Sequence, residues 1–364
     1  MKRVLITFDK GLSHGGVQSV IMSIVRELSD KYIFDILVNV SQKQYFDDEF
    51  LKYGGKIIKI PFYEDKITFR KRADYYIRGL YLYKKTLQVI KENGPYDIIH
   101  CNNVYESGPI LRAAKKCKIP TRIVHSHAIP CKEPFIRRIL NRIYMNQIKN
   151  SASVFVGCSS NACESLFGNN IKANVIYNAF DETKFGFLDT GLHKENNIIL
   201  TQVGRYDSNK NQSFSIKVAK SLIDRKVDCK LFLIGSDQGY EEKKLKEEVK
   251  QLGIENNVMF LNTDANIQSF LSKSDAFIFP SITEGFGTAL IEAQAVGVKC
   301  IVSDSVPNET NCGGCIYLPL NDGPKKWAGV ILDDYSENKG IHKIYDCSRF
   351  RNDEIKKQYE KLYK

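Results

Sequence analysis

Four clusters of residues in this chain have types and spacings suited to holding phosphate and hydroxyl groups. Arg205 and Lys210 follow the apolar run IILTQVGR (198–205). An Arg at a strand end and a Lys at the start of the next helix can converge on one anion. The guanidinium offers a planar fork and the ammonium a mobile point charge. The stretch from Glu284 to Glu292, EGFGTALIE, follows AFIFPS (276–281). Gly285 and Gly287 free the backbone amides at a helix N-terminus, where negative charge is favoured. Glu284 beside those amides can accept hydroxyls of a sugar, and Glu292 within the helix can accept both hydroxyls of a ribose. Gly15 and Gly16 open the helix after the first apolar run and obey the same anion logic. Val17 and Gln18 replace the Lys-Ser/Thr of a phosphate-binding P-loop, which excludes that motif. His125 and His127 end the run RIVHSHA (122–128), where an imidazole can bond a substrate oxygen or polarise a phosphate. Taken singly, each cluster also fits a blander origin: a tight turn, a solvated cation pair, a glutamate favoured by a helix dipole, or a loop histidine.

Such residues need strands to end beside them. RVLITF (3–8), FDILVNV (34–40), IIKIPF (57–62), DIIHCNN (97–103), RIVHSHA and VFVGCSS (154–160) read as short buried strands. Helical patterns lie between them at 17–28, 70–93 and 134–150. The grammar restarts with IILTQVGR, CKLFLIG (229–235), VMFLN (258–262), AFIFPS and VKCIVSD (298–304). Helices are expected there at 212–224, 241–252, 265–273 and 287–296. Strands alternating with helices argue for parallel sheets of βαβ units, which bind ligands at the carboxyl ends of their strands. The chain is thus expected to hold an α/β domain over 1–180, a polar linker over 181–197, a second α/β domain over 198–345 and a charged helix over 346–364 that could cap either domain.

Length and composition agree. The 364 residues suffice for two domains, with 43% apolar and 26% charged residues. No window approaches a membrane span, and the start reads as a strand rather than a signal peptide. The net charge of +11 is uneven: residues 1–180 hold 28 Lys and Arg against 15 Asp and Glu, whereas 181–364 hold 25 against 27. The first half is therefore suited to a negative partner, such as phosphates or an anionic membrane face. The stretches KITFRKRADYYIRGLYLYKK (66–85) and KEPFIRRILNRIYMNQIKN (132–150) mix cations with aromatic and aliphatic residues, as interfacial surfaces do. The ten cysteines include one Cys-x-x-Cys, Cys312 to Cys315, without the second pair or histidines of a zinc site. Free thiols and a reducing cytoplasm are the expectation.

Taken in order, the pieces resemble glycosyltransferase family 4, the retaining nucleotide-sugar enzymes of the GT-B fold. The likeness is carried by the Gly-Gly loop, the strand-end His, VGRYDSNKNQ, LFLIGSDQG, VMFLN, FPSITEGFGTALIEAQAVGVKCIVSD and the tail helix, with the Glu284 to Glu292 spacing its most specific element. Within the family, ESGPILRAAKK, RIVHSHA and IEAQAVGVKCIVSD are similar to the branch that builds bacterial capsule, exopolysaccharide and O-antigen repeats. The crossover element common there as Asn-Gly-hydrophobic-Asp reads Asn178-Ala179-Phe180-Asp181. The resemblance implies two Rossmann-like domains facing each other across a cleft, and a hexosyltransferase that uses a nucleotide sugar, a UDP-sugar, as donor. It implies that Arg205 and Lys210 neutralise the donor diphosphate, that Gly15 and Gly16 approach it, and that Glu292 holds the ribose. Glu284, with the amides of Gly285, Phe286, Gly287 and Thr288, would hold the donor sugar and the distal phosphate. His125 would lie near the reacting sugar, His127 and Asn103 on the acceptor side, and the backbone near Asn262 would meet the base.

Asp-x-Asp occurs nowhere in the chain. No metal or other cofactor is therefore expected, the cations and helix tips taking the place of an ion. The implied acceptor is a glycan or a polyprenyl-diphosphate-linked saccharide met at the inner face of the cell membrane. Rival readings are weaker. Gly285, Gly287 and Asp304 imitate a dinucleotide fingerprint for an NAD-dependent oxidoreductase, but Leu290 stands at the third glycine. A nucleic-acid-binding protein would use the basic half, yet no RNA-binding or zinc-finger pattern appears and no nucleic-acid partner is expected. A sugar-nucleotide epimerase or a phosphorylase of the same fold fits the glutamate spacing less well.

Overall fold

A computed structural model describes residues 1–13, 15–61, 73–127, 135–187, 197–236, 240–338 and 340–364. These divide into two compact units, Met1–Ala179 with Asn352–Lys364, and Phe180–Arg351.

The first unit runs β1 (Lys2–Phe8), α1 (Gly16–Leu28), β2 (Tyr32–Val38), α2 (Asp47–Lys52), β3 (Ile57–Lys59), α3 (Ala73–Asn93), β4 (Ile98–Cys101), α4 (Ser107–Lys116), β5 (Thr121–Ser126), α5 (Phe135–Ser151), β6 (Val154–Gly157), α6 (Ser160–Phe167) and β7 (Asn174–Val175). Its sheet has the order β3-β2-β1-β4-β5-β6-β7, and every pair is parallel. A parallel sheet is covered on both faces, so its strands are apolar on both. In β1 the alternation is direct. Val4, Ile6 and Phe8 join the core formed with Ile21, Ile24, Val25 and Leu28 of α1, while Leu5 joins the opposite core with Leu111 of α4 and Ile148 of α5.

The second unit runs β8 (Ile198–Val203), α7 (Gln212–Asp224), β9 (Cys229–Ile234), α8 (Glu241–Gln251), β10 (Val258–Leu261), α9 (Ile267–Leu271), β11 (Ala276–Phe279), α10 (Thr288–Val296), β12 (Cys300–Ser303), β13 (Cys315–Leu318) and α11 (Gly323–Asn338). Its parallel sheet has the order β10-β9-β8-β11-β12-β13. In both units the strand order reverses beside the first strand. The carboxyl ends of β1 and β4, and of β8 and β11, therefore flank the switch points where such sheets bind ligands.

The last helix, α12 (Asn352–Leu362), belongs to the first unit. Ile355, Tyr359 and Tyr363 are buried in the core that holds Val20, Ile24 and Leu28 of α1. The sequence places the start of this tail at 346. Instead residues 346–351 stay with the second unit, because Phe350 is buried edge-on to Phe286 and its carbonyl accepts from the Phe180 amide at 3.2 Å. The expected linker is likewise divided, since residues 181–187 lie in the second unit and 188–196 lie outside the described residues.

Helices α4 and α11 and strand β13 were not assigned from sequence. The Ser-Gly-Pro that opens α4 has the composition of a loop, although proline is tolerated in a first helical turn. Helix α11 buries only Trp327, Ala328 and Ile331, too few for a clear stripe. Residues 66–72, 132–134 and 237–239 of the stretches quoted above, together with Cys131, lie outside the described residues.

Candidate active site

The second unit gathers most of the singled-out residues at the carboxyl ends of β8 and β11. Lys210 sits in the turn before α7, its amide bonded to the Asp207 carboxylate at 2.9 Å. Its ammonium pairs with the Glu284 carboxylate and lies 4.8 Å from the centre of the Phe279 ring. Both side chains are largely enclosed, Lys210 at 17% exposure and Glu284 at 14%. Removed from bulk water, their pairing is screened little. Ser281 also directs its hydroxyl at Glu284, at 3.4 Å.

Arg205 takes a different position. Its side chain is 63% exposed and pairs with Asp207 at 3.4 Å. The turn thus presents one enclosed cation and one solvated cation, linked through Asp207.

Helix α10 begins just beyond Glu284, with Gly287 as its cap in the left-handed region at φ +97°. A Cβ on Gly287 would come within 3.2 Å of the Phe279 ring and 3.4 Å of Glu284 Cγ. Glycine therefore serves both the backbone conformation and the close fit. Gly285 and Phe286 are buried, and the Phe286 ring packs edge-on against Phe350. Thr288 opens the helix, and Glu292 follows one turn later, partly buried. Burial pushes the Glu292 carboxyl up to about 7; Asp181 adds to the shift and Lys184 opposes it. Asn262, exposed after β10, uses its backbone carbonyl to accept from the Ala265 amide at 3.1 Å.

Sequence reasoning missed Asn209. Its side-chain carbonyl accepts from the Thr283 amide at 3.0 Å and the Thr283 hydroxyl at 2.7 Å, and its amide donates to the Thr283 carbonyl at 2.7 Å. Its backbone carbonyl takes the Ile282 amide at 2.8 Å. Asn209 thereby zips the Lys210 turn to the Glu284 turn. The only sequence signal was its place beside Lys210.

In the first unit Gly15 caps α1 with an extended backbone, and Gly16 starts the helix. A Cβ on Gly15 would strike the Gln18 side chain at 2.6 Å, while one on Gly16 would meet nothing within 4 Å. Asn103, after β4, is held to the end of β1 by a 2.6 Å contact with the Thr7 hydroxyl. His125 is fully buried near the end of β5, and the His127 ring lies against it, tilted by 33° with ring centres 3.9 Å apart. Sequence reasoning also missed His100 of β4, whose Nε2 lies 3.1 Å from His125 Nδ1. No group of metal-ligating side chains that could hold an ion occurs among the described residues.

A cation, a carboxylate and a helix tip thus meet at the strand ends of a Rossmann-like unit, in a chain whose two parallel sheets have the architecture of GT-B glycosyltransferases. Two family models match, "Glycosyltransferase Family 4" over residues 14–184 and "Glycosyl transferases group 1" over 188–311. The chain belongs to glycosyltransferase family 4. It is 28% identical over 349 residues to EpsF of Bacillus subtilis (strain 168), named as a glycosyltransferase, covering 91% of this chain and 87% of that one. It is 24% identical to the capsular polysaccharide biosynthesis glycosyltransferase CapH of Staphylococcus aureus, covering 94% and 93%. Among solved structures, Anabaena HepE in complex with UDP and glucose superposes with a TM-score of 0.79 at 18% identity, covering 99% of both chains.

Proposed function

We propose that this protein is a retaining, metal-independent glycosyltransferase that moves a sugar from a UDP-sugar to a glycan or polyprenyl-diphosphate-linked saccharide during assembly of a cell-surface polysaccharide. The observation that carries this reading is the enclosed Lys210–Glu284 pair at the tip of α10. HepE, which binds UDP and glucose, supports the donor class, and CapH supports the pathway.

Sugar transfer must neutralise charge as it develops. The departing diphosphate gains negative charge while the anomeric carbon becomes cationic. Lys210, Arg205 and the N-terminus of α10 supply fixed positive potential for the diphosphate, the work a metal ion does in other transferases. A diphosphate arriving at Lys210 competes with Glu284 for the ammonium and frees that carboxylate for sugar hydroxyls. Glu292 accepts from the ribose. Retention follows a front-face course. The acceptor oxygen bonds the anomeric carbon on the side from which the phosphate leaves, the carbon–phosphate-oxygen bond breaks, and the acceptor's proton passes to the departing phosphate.

A screen of nucleotide sugars by thermal shift and hydrolysis tests the donor. A UDP-sugar is expected to stabilise the protein and to be hydrolysed slowly with retained anomeric configuration. Lys210→Ala is expected to lower turnover by about 100–1,000-fold, the scale for loss of one preorganised group at a developing oxyanion. Unchanged turnover in that variant, an inverted product, or loss of activity in EDTA would overturn the reading.

The acceptor side is read from α5, where Arg138, Ile139, Arg142 and Ile143 are all exposed. Cations alternating with aliphatic residues suit an anionic lipid surface, and the proposal places the protein at the inner face of the cell membrane. No described helix is long and apolar enough to cross one. Flotation with anionic but not neutral liposomes, lost in Arg138→Glu/Arg142→Glu, is the expected result; equal behaviour on both lipids would refute it.

A further inference from the structure

The buried histidines of the first unit form a relay that begins at the end of the chain. Tyr363 directs its hydroxyl at His100 Nδ1, 2.8 Å away, and His100 Nε2 meets His125 Nδ1 at 3.1 Å. Tyr363, His100 and His125 are fully buried. Burial also holds the imidazoles neutral, drawing His100 and His127 down to about 3 and His125 well below its ordinary value. Each ring then carries one N–H and one bare nitrogen, and the partners decide which is which.

Among the described residues His100 is the one hydrogen-bond partner of the Tyr363 hydroxyl. Were that hydroxyl to accept from His100, its own proton would be buried with no acceptor and His125 Nε2 would be left bare and unmet as well, whereas the opposite order leaves only the His125 Nε2 proton unmet. Tyr363 therefore donates to His100 Nδ1. The His100 proton then sits on Nε2 and is donated to His125 Nδ1, which leaves the His125 proton on Nε2. His127 is fixed separately. The Asn102 side-chain amide faces the carbonyls of Thr7 and His100, each at 3.4 Å, so its oxygen accepts from His127 Nε2 at 2.7 Å. His127 Nδ1 is left bare. Two buried nitrogens remain without a partner among the described residues, His125 Nε2 with a proton and His127 Nδ1 without one.

We infer that Tyr363 and His100 are positioning residues that hold His125 as its Nε2–H tautomer, so that His125 serves as a hydrogen-bond donor and not as a base. The inference rests on the transferase reading only for what the donor meets. A proton-accepting role is thereby closed to His125 in this tautomer, in keeping with its assignment to the departing phosphate.

The test is a long-range proton–nitrogen NMR correlation on the full-length protein with 15N-labelled histidine. The six histidines are assigned by single His→Gln variants. In the wild type, His100 and His125 are each expected to show a protonated Nε2 and a bare Nδ1. Tyr363→Phe keeps the ring but removes the donor, and is expected to convert the single His125 tautomer into a mixture of both. A wild-type His125 protonated at Nδ1, or an unchanged spectrum in folded Tyr363→Phe, would overturn the inference. If that variant fails to fold, the wild-type His100 and His125 spectra decide alone. The spectra need no substrate, so a protein that transfers no sugar yet shows this tautomer would refute the transferase reading and leave the relay standing.

Discussion

Glu292 is the residue whose chemistry works against its surroundings. Its carboxyl is raised from 4.5 to about 7 chiefly by burial, so the charged form is disfavoured in the folded chain. The folded state then binds a proton more tightly than the unfolded state, and stability falls as pH rises from about 4.5 through about 7. Glu292→Gln removes the charge. It is expected to stabilise the protein at pH 8 by on the order of 2 kcal/mol, with the gap closing near pH 4. Denaturant melts at the two pH values check this. If Glu292 accepts from a ribose, the same variant is expected to bind UDP about 10–100-fold more weakly, read by calorimetry. A stabilising substitution that costs affinity marks a carboxylate kept for its ligand. Glu292 was legible in the sequence because its spacing from Glu284 is local. His100 and Tyr363 were not, since 263 positions separate partners that only the packed tail brings together.

At the scale of elements, the site is two turns joined by one side chain. Asn209 makes three side-chain hydrogen bonds to Thr283, and Lys210 and Glu284 are the next residues along each turn. Asn209→Ala would leave the half-buried Thr283 groups short of partners and let the turns separate. Destabilisation of about 1–3 kcal/mol is expected, with a loss of turnover that Asn209→Asp, which keeps the acceptor, partly restores. Equal turnover in wild type and Asn209→Ala would show that the turns hold their spacing without the clamp. The strands leading into these turns, IILTQV and AFIF, were read correctly because they are mostly apolar and short, the mark of a parallel sheet covered on both faces. Strand β13, Cys-Ile-Tyr-Leu, is equally apolar, but it comes directly after a Cys-Gly-Gly turn and its residues are only partly buried. Helix α4 was hidden by its Gly-Pro opening. There Gly108 lets α4 approach α5 so closely that a Cβ would lie 2.5 Å from the Tyr144 carbonyl, a reason invisible before the helices pack.

For the molecule as a whole, the decisive feature is that the last thirteen residues complete the first unit. The sequence offered α12 as a charged amphipathic helix with Ile355, Tyr359 and Leu362 in register and could not say which domain it covers. The structure buries Ile355, Tyr359 and Tyr363 at 4% exposure or less in the core shared by α1 and β2. Burying each such side chain contributes about 1.5–3 kcal/mol, so the three together supply about 5–9 kcal/mol. That matches the roughly 5–15 kcal/mol by which a whole domain is stable. A chain ending at Arg351 is therefore expected to keep the cooperative melt of Phe180–Arg351 and to lose that of the first unit. Calorimetry would register this as one transition in place of two. A synthetic peptide of residues 352–364 added in trans is expected to restore the missing transition in proportion to its concentration, since a ligand for the folded state alone stabilises it by mass action. If the shortened chain kept both transitions unchanged, the tail would be an ornament on a core that closes without it.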